Sequence, residues 1–536
     1  MTARTRTDIL LLAGFCAFLF FYGLGQFGLI GADEPRYAQV AREMMERGDW
    51  VTPTLAGRPW LEKPPLYYWE AGLVYRVIGV SDVAARIPSA FDATLLVIAV
   101  YLFFRKFRRG AEVDAALITA SCAGVIGYSR AASMDMPLAA TFSIGLLAWW
   151  AWRESGKRTY LVLFYLLMAL GTLAKGPVAP LLAGIVVILI SVTARDARLI
   201  VRTLWIPGIL LFIVVVLPWY LAVQLQNPQF FREFILEHNL ARFSSNLYHH
   251  PEPFWFYVPV TLLALVPWTV VAIVAVSESW QVFLAEGKTV RDIELQFRMF
   301  AASWLLVPVI FFSLSQSKLP GYILPAIPGG ALLVADYLLR HRETGTPIPK
   351  WLAVVHAAIA SAPIVPAVVI GYLVMQHRLP HGTPMYFALI LAVLVFAGVA
   401  ITLAGRMQLR MLRFVTLIPV LLAVAAVLKF GTAAIDQKLS ARPLALEISS
   451  IETKKLPIAV AGVQRELEYG LGFYRNQPVH RYESGDIPIE NHLLVAPTTW
   501  RDNVFKATTG RRVSLLGHYT PQAVDYYWVA ALANKP

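Results

Sequence analysis

Residues 9–38 read ILLLAGFCAFLFFYGLGQFGLIGADEPRYA. A nearly unbroken apolar stretch, 9–30, is long enough to cross a bilayer, for which about 20 residues suffice. It runs directly into Asp33, Glu34, Pro35, Arg36 and Tyr37. Two carboxylates, an arginine and a tyrosine therefore stand where a membrane helix leaves the lipid. Arg4 and Arg6 precede the apolar stretch, and no small-x-small cleavage site follows it. The start is read as an uncleaved first span with a cytoplasmic N-terminus.

The pattern repeats along the chain. Of 536 residues, 57% are hydrophobic and 15% charged, and the mean hydropathy is +0.58. No soluble globular protein of this length needs so much apolar surface. Thirteen candidate spans are expected: 9–30, 88–104, 113–129, 136–152, 159–174, 177–193, 204–223, 257–277, 298–314, 320–339, 351–375, 384–404 and 412–430. The fold class is thus an all-α polytopic membrane protein of about 13 transmembrane helices, carrying a small C-terminal α/β domain.

Basic residues set the orientation. Clusters such as Arg105, Lys106, Arg108 and Arg109, or Arg153, Lys157 and Arg158, alternate with short loops holding about one basic residue each, at Arg130, Lys175, Lys318 and Arg378. The basic loops are cytoplasmic, so much of the +13 charge is a topology signal and no nucleic-acid partner is implied. Three segments fall outside: loops 31–87 and 225–256, and a tail at 434–536. The first 433 residues form the membrane domain. In the tail, LPIAVAGV, HLLVAPT and DYYWVAAL read as strands and VQRELEYGLGFY as a helix. Cys16 and Cys122 sit in apolar spans, which excludes a disulfide framework.

Within the first loop, Tyr37, Val40, Ala41 and Met44 fall at helical spacing, with Arg36, Arg42, Glu43, Glu46 and Arg47 on the remaining arc. That predicts an amphipathic helix lying in the membrane surface. LYYWEAGLVYRVIGV (66–80) predicts a second. Asp33 reads as a helix N-cap and as a functional carboxylate, two compatible readings, since a capped helix start also fixes a carboxylate in space. Glu62-Lys63, stiffened by Pro64-Pro65, reads either as a solvated turn pair or as a rigid acid–base pair at the bilayer surface. Asp135 stands at the outer end of a span, where a lone carboxylate is costly unless paired or used. Lys175, Lys318 and Tyr322 share that side, as do Glu237, His238 and Arg242 of the second loop.

Cations at headgroup depth suit a phosphate, and a phosphate there suits a lipid whose tail lies between the spans. Nearby carboxylates suit a general base, or stabilisation of an oxocarbenium-like sugar centre. Together these spell glycosyl transfer from a lipid phosphate. A transporter or flippase would instead place ionisable residues at mid-span and show inverted repeats. Neither is present.

The stretch ADEPRYAQVAREMMERGDWVTPTLAGRPWLEKPPLYYW (32–69) resembles the first periplasmic loop of the protein O-mannosyltransferase-like (GT-C) membrane glycosyltransferases. It resembles most the branch that transfers 4-amino-4-deoxy-L-arabinose to lipid A. MDMP at 134, AKG at 174, FFREFILEHNLARF at 230, EPFWFYVP at 252 and SKLPGYILP at 317 support the match. The resemblance implies a GT-C fold in a bacterial inner membrane, a periplasmic site, a polyprenyl (undecaprenyl) phosphate sugar donor, and lipid A or another periplasmic acceptor. It implies catalytic roles for Asp33 and Asp135, with Glu34 beside them. It places the donor phosphate on Lys63, Arg242 and Tyr322, with Lys318 and Lys175 in reserve. Arg36, Tyr37, Tyr67 and Tyr68 then line the substrate pocket. No cofactor is assigned, and a divalent metal such as zinc is left open at Glu62 with His238. EKPPLYYW is the broader family form, so the sugar and a lipid or protein acceptor stay open.

Overall fold

The computed structural model describes residues 3–234, 252–285, 292–360 and 409–532. Among them, five helices are long and apolar enough to cross a membrane: Asp82–Phe107, Arg158–Lys175, Ile206–Gln226, Ile293–Ser313 and Pro320–Thr344. Two bent pairs raise the number to seven if each is one span. One of these, Tyr257–Ala264 with Thr269–Ala285, turns by 112° inside the expected span 257–277. Span 113–129 is broken at Cys122 into Glu112–Ser121 and Ala123–Ser129. Span 384–404 lies outside the described residues. On Ile206–Gln226 the side chains of Leu210, Val214, Leu217 and Leu221 are exposed, an apolar flank suited to lipid tails.

Aromatic side chains fill the centre of the bundle. Trp149, Trp150, Trp268 and Trp304 are fully buried, and Trp150 stacks on Phe300 with ring centroids 4.7 Å apart. A Cβ on Gly329 would stand 2.9 Å from the Ala301 carbonyl oxygen, so a glycine lets these two helices approach closely. Trp304 Nε1 donates to the Pro325 carbonyl at 2.7 Å, tying Ile293–Ser313 to the 3-10 turn Pro320–Ala326. The basic loops meet at one end of the bundle, where Arg108 pairs with Glu154 at 2.7 Å and with Glu294 at 3.1 Å.

Both helices expected in the first loop form, as Asp33–Arg47 and Leu66–Ile78. Their apolar faces correct the expectation of helices lying flat on lipid. Tyr37, Val40, Ala41 and Met44 pack against Tyr67, Tyr68, Ala71 and Tyr75, and Phe473 of the tail joins the same cluster. Arg42, expected on the polar arc, is buried and donates to the Phe473 carbonyl at 2.8 Å. Only Leu73, Val77 and Ile78 leave an apolar edge exposed.

The tail contains a five-stranded mixed sheet. Its strands, numbered after a short β1–β2 ribbon at Thr54–Leu55 and Arg58–Pro59, are β3 (Ile458–Val460), β4 (Val479–Arg481), β5 (His492–Pro497), β6 (Val513–Tyr519) and β7 (Val524–Val529), in spatial order β4-β3-β5-β7-β6. β3 runs parallel to β4 and β5, and β7 antiparallel to β5 and β6. The strands β4 and β6 carry weaker apolar patterns than the three read from sequence. The helix Arg465–Arg475 turns one face toward the sheet through Leu471 and reaches the first loop with Phe473.

Arg442 fastens tail to membrane domain. It binds Asp82 at 2.8 Å, Asp436 at 2.7 Å and the Gly25 carbonyl at 3.0 Å. Tyr474 Oη donates to Asp82 and accepts from the Leu29 N–H, each at 2.6 Å.

Candidate active site

Asp33 opens its helix as the first helical residue. The N-cap is Ala32, which makes no side-chain cap bond, so the capping reading for Asp33 falls away. Its carboxylate is 47% exposed and paired with Arg36 one turn on. A carboxylate in the first turn also gains from the helix dipole. The Arg36 guanidinium, by contrast, is 11% exposed and stacks on Tyr37, its carbon 5.0 Å from the ring centroid. Burial works against its charge, but Tyr37, Asp33, Glu62 and Tyr469 outweigh burial and hold its pKa above the usual value. Burial, joined by Asp33, Glu62 and Asp135, raises the Tyr37 phenol, whose oxygen accepts from Arg36 Nη2 at 3.3 Å.

Glu34 corrects the catalytic expectation for that residue. Its carboxylate pairs with Arg86 at 2.7 Å and accepts the N–H groups of Ile30 at 2.8 Å and Ala132 at 2.7 Å. Arg86 also donates to the Leu24, Phe27 and Gly28 carbonyls. This closed network locks the end of the first span to the loop helix and leaves Glu34 no oxygen for substrate. Tyr67 is likewise structural: fully buried, it donates to the Ala85 carbonyl at 2.8 Å.

The second acid lies close by. Asp135 begins the helix Asp135–Ser155 and pairs with Lys175 of Arg158–Lys175. The Lys175 ammonium sits 4.6 Å from the Tyr322 ring centroid. Tyr37 lies in the field of both Asp33 and Asp135. Tyr68, fully buried, faces Tyr37, Arg36, Glu62 and Asp33, and its hydroxyl has no hydrogen-bond partner among the described residues. Lys63 and Glu62 sit at the bend before the buried Pro64 and Pro65.

Lys318 is placed differently from the phosphate-binding expectation. It is 6% exposed, and its ammonium donates to the Glu252 carbonyl at 3.1 Å and the Ser315 carbonyl at 2.5 Å. With Tyr257, whose hydroxyl both donates to the Leu319 carbonyl and accepts its N–H at 3.1 Å, it shapes the turn that presents Tyr322. His238 and Arg242 lie outside the described residues. Among those described, no three His, Cys, Asp or Glu side chains gather as a metal site. Of the expected metal pair, Glu62 alone lies among the described residues.

Sequence reasoning missed Arg86, Trp60, Tyr257, Tyr469 and Gly321. Trp60, Tyr257, Tyr469 and Gly321 all lie inside stretches quoted above, whereas Arg86 lies in none of them.

The helical bundle carries Asp33, Asp135 and Lys175 at helix ends, the kind of groups that suit transfer from a lipid phosphate. The family described as Dolichyl-phosphate-mannose-protein mannosyltransferase matches residues 7–232. The undecaprenyl phosphate-alpha-4-amino-4-deoxy-L-arabinose arabinosyl transferase of Pseudomonas savastanoi pv. phaseolicola is 30% identical over 407 residues, 75% of this chain and 73% of that protein. The enzyme of the same name from Aeromonas hydrophila is 30% identical over 451 residues, 79% and 78% of the two chains. The crystal structure of ArnT from Cupriavidus metallidurans bound to undecaprenyl phosphate superposes with a TM-score of 0.76 at 22% identity, covering 98% of this chain and 99% of that one. The chain belongs to the family of these arabinosyl transferases, and it is a glycosyltransferase.

Proposed function

We propose that the protein moves 4-amino-4-deoxy-L-arabinose from an undecaprenyl phosphate donor to a phosphate of lipid A, on the periplasmic side of the inner membrane. The observation that carries this reading is the 30% identity to arabinosyl transferases over most of their length. It is supported by an exposed carboxylate, Asp33, held beside an arginine where a span meets the outside.

In the reaction an acceptor phosphate oxygen attacks the anomeric carbon, and the bond from that carbon to the donor phosphate breaks. Undecaprenyl phosphate leaves with the bonding electrons. Asp33 takes the proton where the acceptor oxygen carries one, and its charge favours the oxocarbenium-like centre. Arg36 fixes the direction of that carboxylate. Lys63, Tyr322 and, from the second loop, Arg242 hold the donor phosphate as charge develops on it. The Asp135–Lys175 pair sets the wall under Tyr322. Asp82, Arg442 and Tyr474 keep the tail sheet over the loop, on the same side as the site.

Purified protein, incubated with the charged donor and either lipid A or a secreted Ser/Thr-rich peptide, tests the reading by mass spectrometry. Lipid A should gain one aminoarabinose. Sugar on the peptide, with lipid A unmodified, would replace the acceptor while leaving the transferase in place.

A further inference from the structure

Arg36 is enclosed by three aromatic rings. Tyr37 and Trp60 come from the first loop, with the guanidinium carbon 5.0 and 5.3 Å from their centroids. The third, Tyr469, comes from the tail helix Arg465–Arg475, at 5.6 Å. All three distances are within the range of cation–π attraction. One guanidinium nitrogen, Nη2, is taken by Asp33 and the Tyr37 hydroxyl. Nε is buried and has no partner among the described residues, and the buried indole N–H of Trp60 has none either. Buried donors without partners are rare in native proteins and call for an explanation. Here two occur on adjoining walls of one box, beside the reacting carboxylate.

The contact is not needed to dock the tail. Arg42 already binds the Phe473 carbonyl at 2.8 Å and stacks on its ring, and Tyr474 holds Leu29 and Asp82. Tyr469 therefore adds something local to Arg36.

We propose that Tyr469 is a positioning residue of the transfer reaction, contributed by the C-terminal domain. Its ring fixes the plane of Arg36, so that Nη2 stays on Asp33 while Nε and the Trp60 N–H present two donors to a phosphate oxygen of the acceptor. The acceptor's identity rests on the function proposed above; the Tyr469–Arg36 contact does not. The donor phosphate is held by other groups, so the two substrates report separately.

Steady-state kinetics of full-length Tyr469→Ala and Tyr469→Phe, with lipid A and charged undecaprenyl phosphate, provide the test. The alanine variant should raise the KM for lipid A about tenfold, a loss of the size a shielded cation–π contact supports, with the donor KM unchanged. Phenylalanine keeps the ring and should restore the wild-type value. Equal rises in both KM values, no change in either, or failure of phenylalanine to rescue would each overturn the assignment. A second measurement needs no substrate: phenylglyoxal should label Arg36 several-fold faster in the alanine variant. An unchanged labelling rate overturns the proposal even if lipid A proves the wrong acceptor, whereas wild-type inactivity toward lipid A together with faster labelling overturns only the acceptor.

Discussion

The carboxylate of Asp135 lies against the bare Cα of Gly321: a Cβ placed there would stand 2.7 Å from its Cγ and 2.8 Å from each oxygen. The residue is glycine because the acid occupies the space, and the turn that carries Tyr322 depends on that fit.

Gly321→Ala should therefore displace Asp135 or the turn, and with it the Lys175 pair over the Tyr322 ring. Misplacing catalytic groups by about 1 Å can cost on the order of 100-fold in rate. Transfer should fall by about that factor while the detergent-solubilised protein unfolds at an unchanged temperature. Full activity in the alanine variant would remove Asp135 from the reacting centre.

The adjacent acids Asp33 and Glu34 should fail in opposite ways. Asp33→Asn keeps size and hydrogen bonding but removes charge, so turnover should vanish with stability intact. Glu34→Ala strands the buried Arg86 charge, which typically costs about 3–5 kcal/mol. Its defect should show first as a lowered unfolding temperature and poor yield. Measuring both quantities on both variants separates the roles; a stable but inactive Glu34 variant would return that residue to the chemistry.

Two lysines of the outer face should likewise part. Lys63→Ala should weaken undecaprenyl phosphate binding by roughly 1.5–3 kcal/mol, the value of a charged hydrogen bond. Lys318→Ala leaves the Ser315 and Glu252 carbonyls without their donor and should lower stability more than donor affinity. Titration with undecaprenyl phosphate, followed by calorimetry, checks the order, and equal affinity losses would contradict it.

Glu70 supplies a pH test. Its Oε2 is buried with no hydrogen-bond partner among the described residues. Burial, with the Asp92 carboxylate adding to it, pushes its pKa well above the ordinary 4.5. The folded state thus holds a proton that the unfolded chain releases. Stability from this group is complete below about pH 4.5 and is lost as pH rises toward the folded value. Glu70→Gln should raise the unfolding temperature near neutrality and flatten its decline as pH rises above about 4.5. A wild-type slope retained in Gln would place the titration elsewhere.

Local patterns explain what the sequence made legible. The loop helices were readable because Tyr37, Val40, Ala41 and Met44 repeat at helical spacing, and the shared end of the basic loops because arginines recur at every second turn of the chain. What covered those faces was not readable. An amphipathic stripe fits lipid and protein equally well, and Phe473, which covers this one, lies more than four hundred positions away, as the Arg42 contact measures. Asp33 and Glu34 are neighbours of the same type, and only the position of Arg86, 52 residues on, makes one of them structural. The break between Ala264 and Thr269 holds Pro267, a residue that interrupts helices, whereas the break at Cys122 has no proline to mark it.

The clamp around Asp82 carries a consequence for how the enzyme comes into being. Gly28 and Leu29 donate their N–H groups to Asp436 and Tyr474, partners 408 and 445 positions later. Ile30 forms an isolated bridge with Ser440. The residues leading into Asp33 thus find backbone partners more than four hundred positions later in the chain. The backbone that leads into the Asp33 helix is therefore completed only by the tail, so the loop and the tail close as one unit.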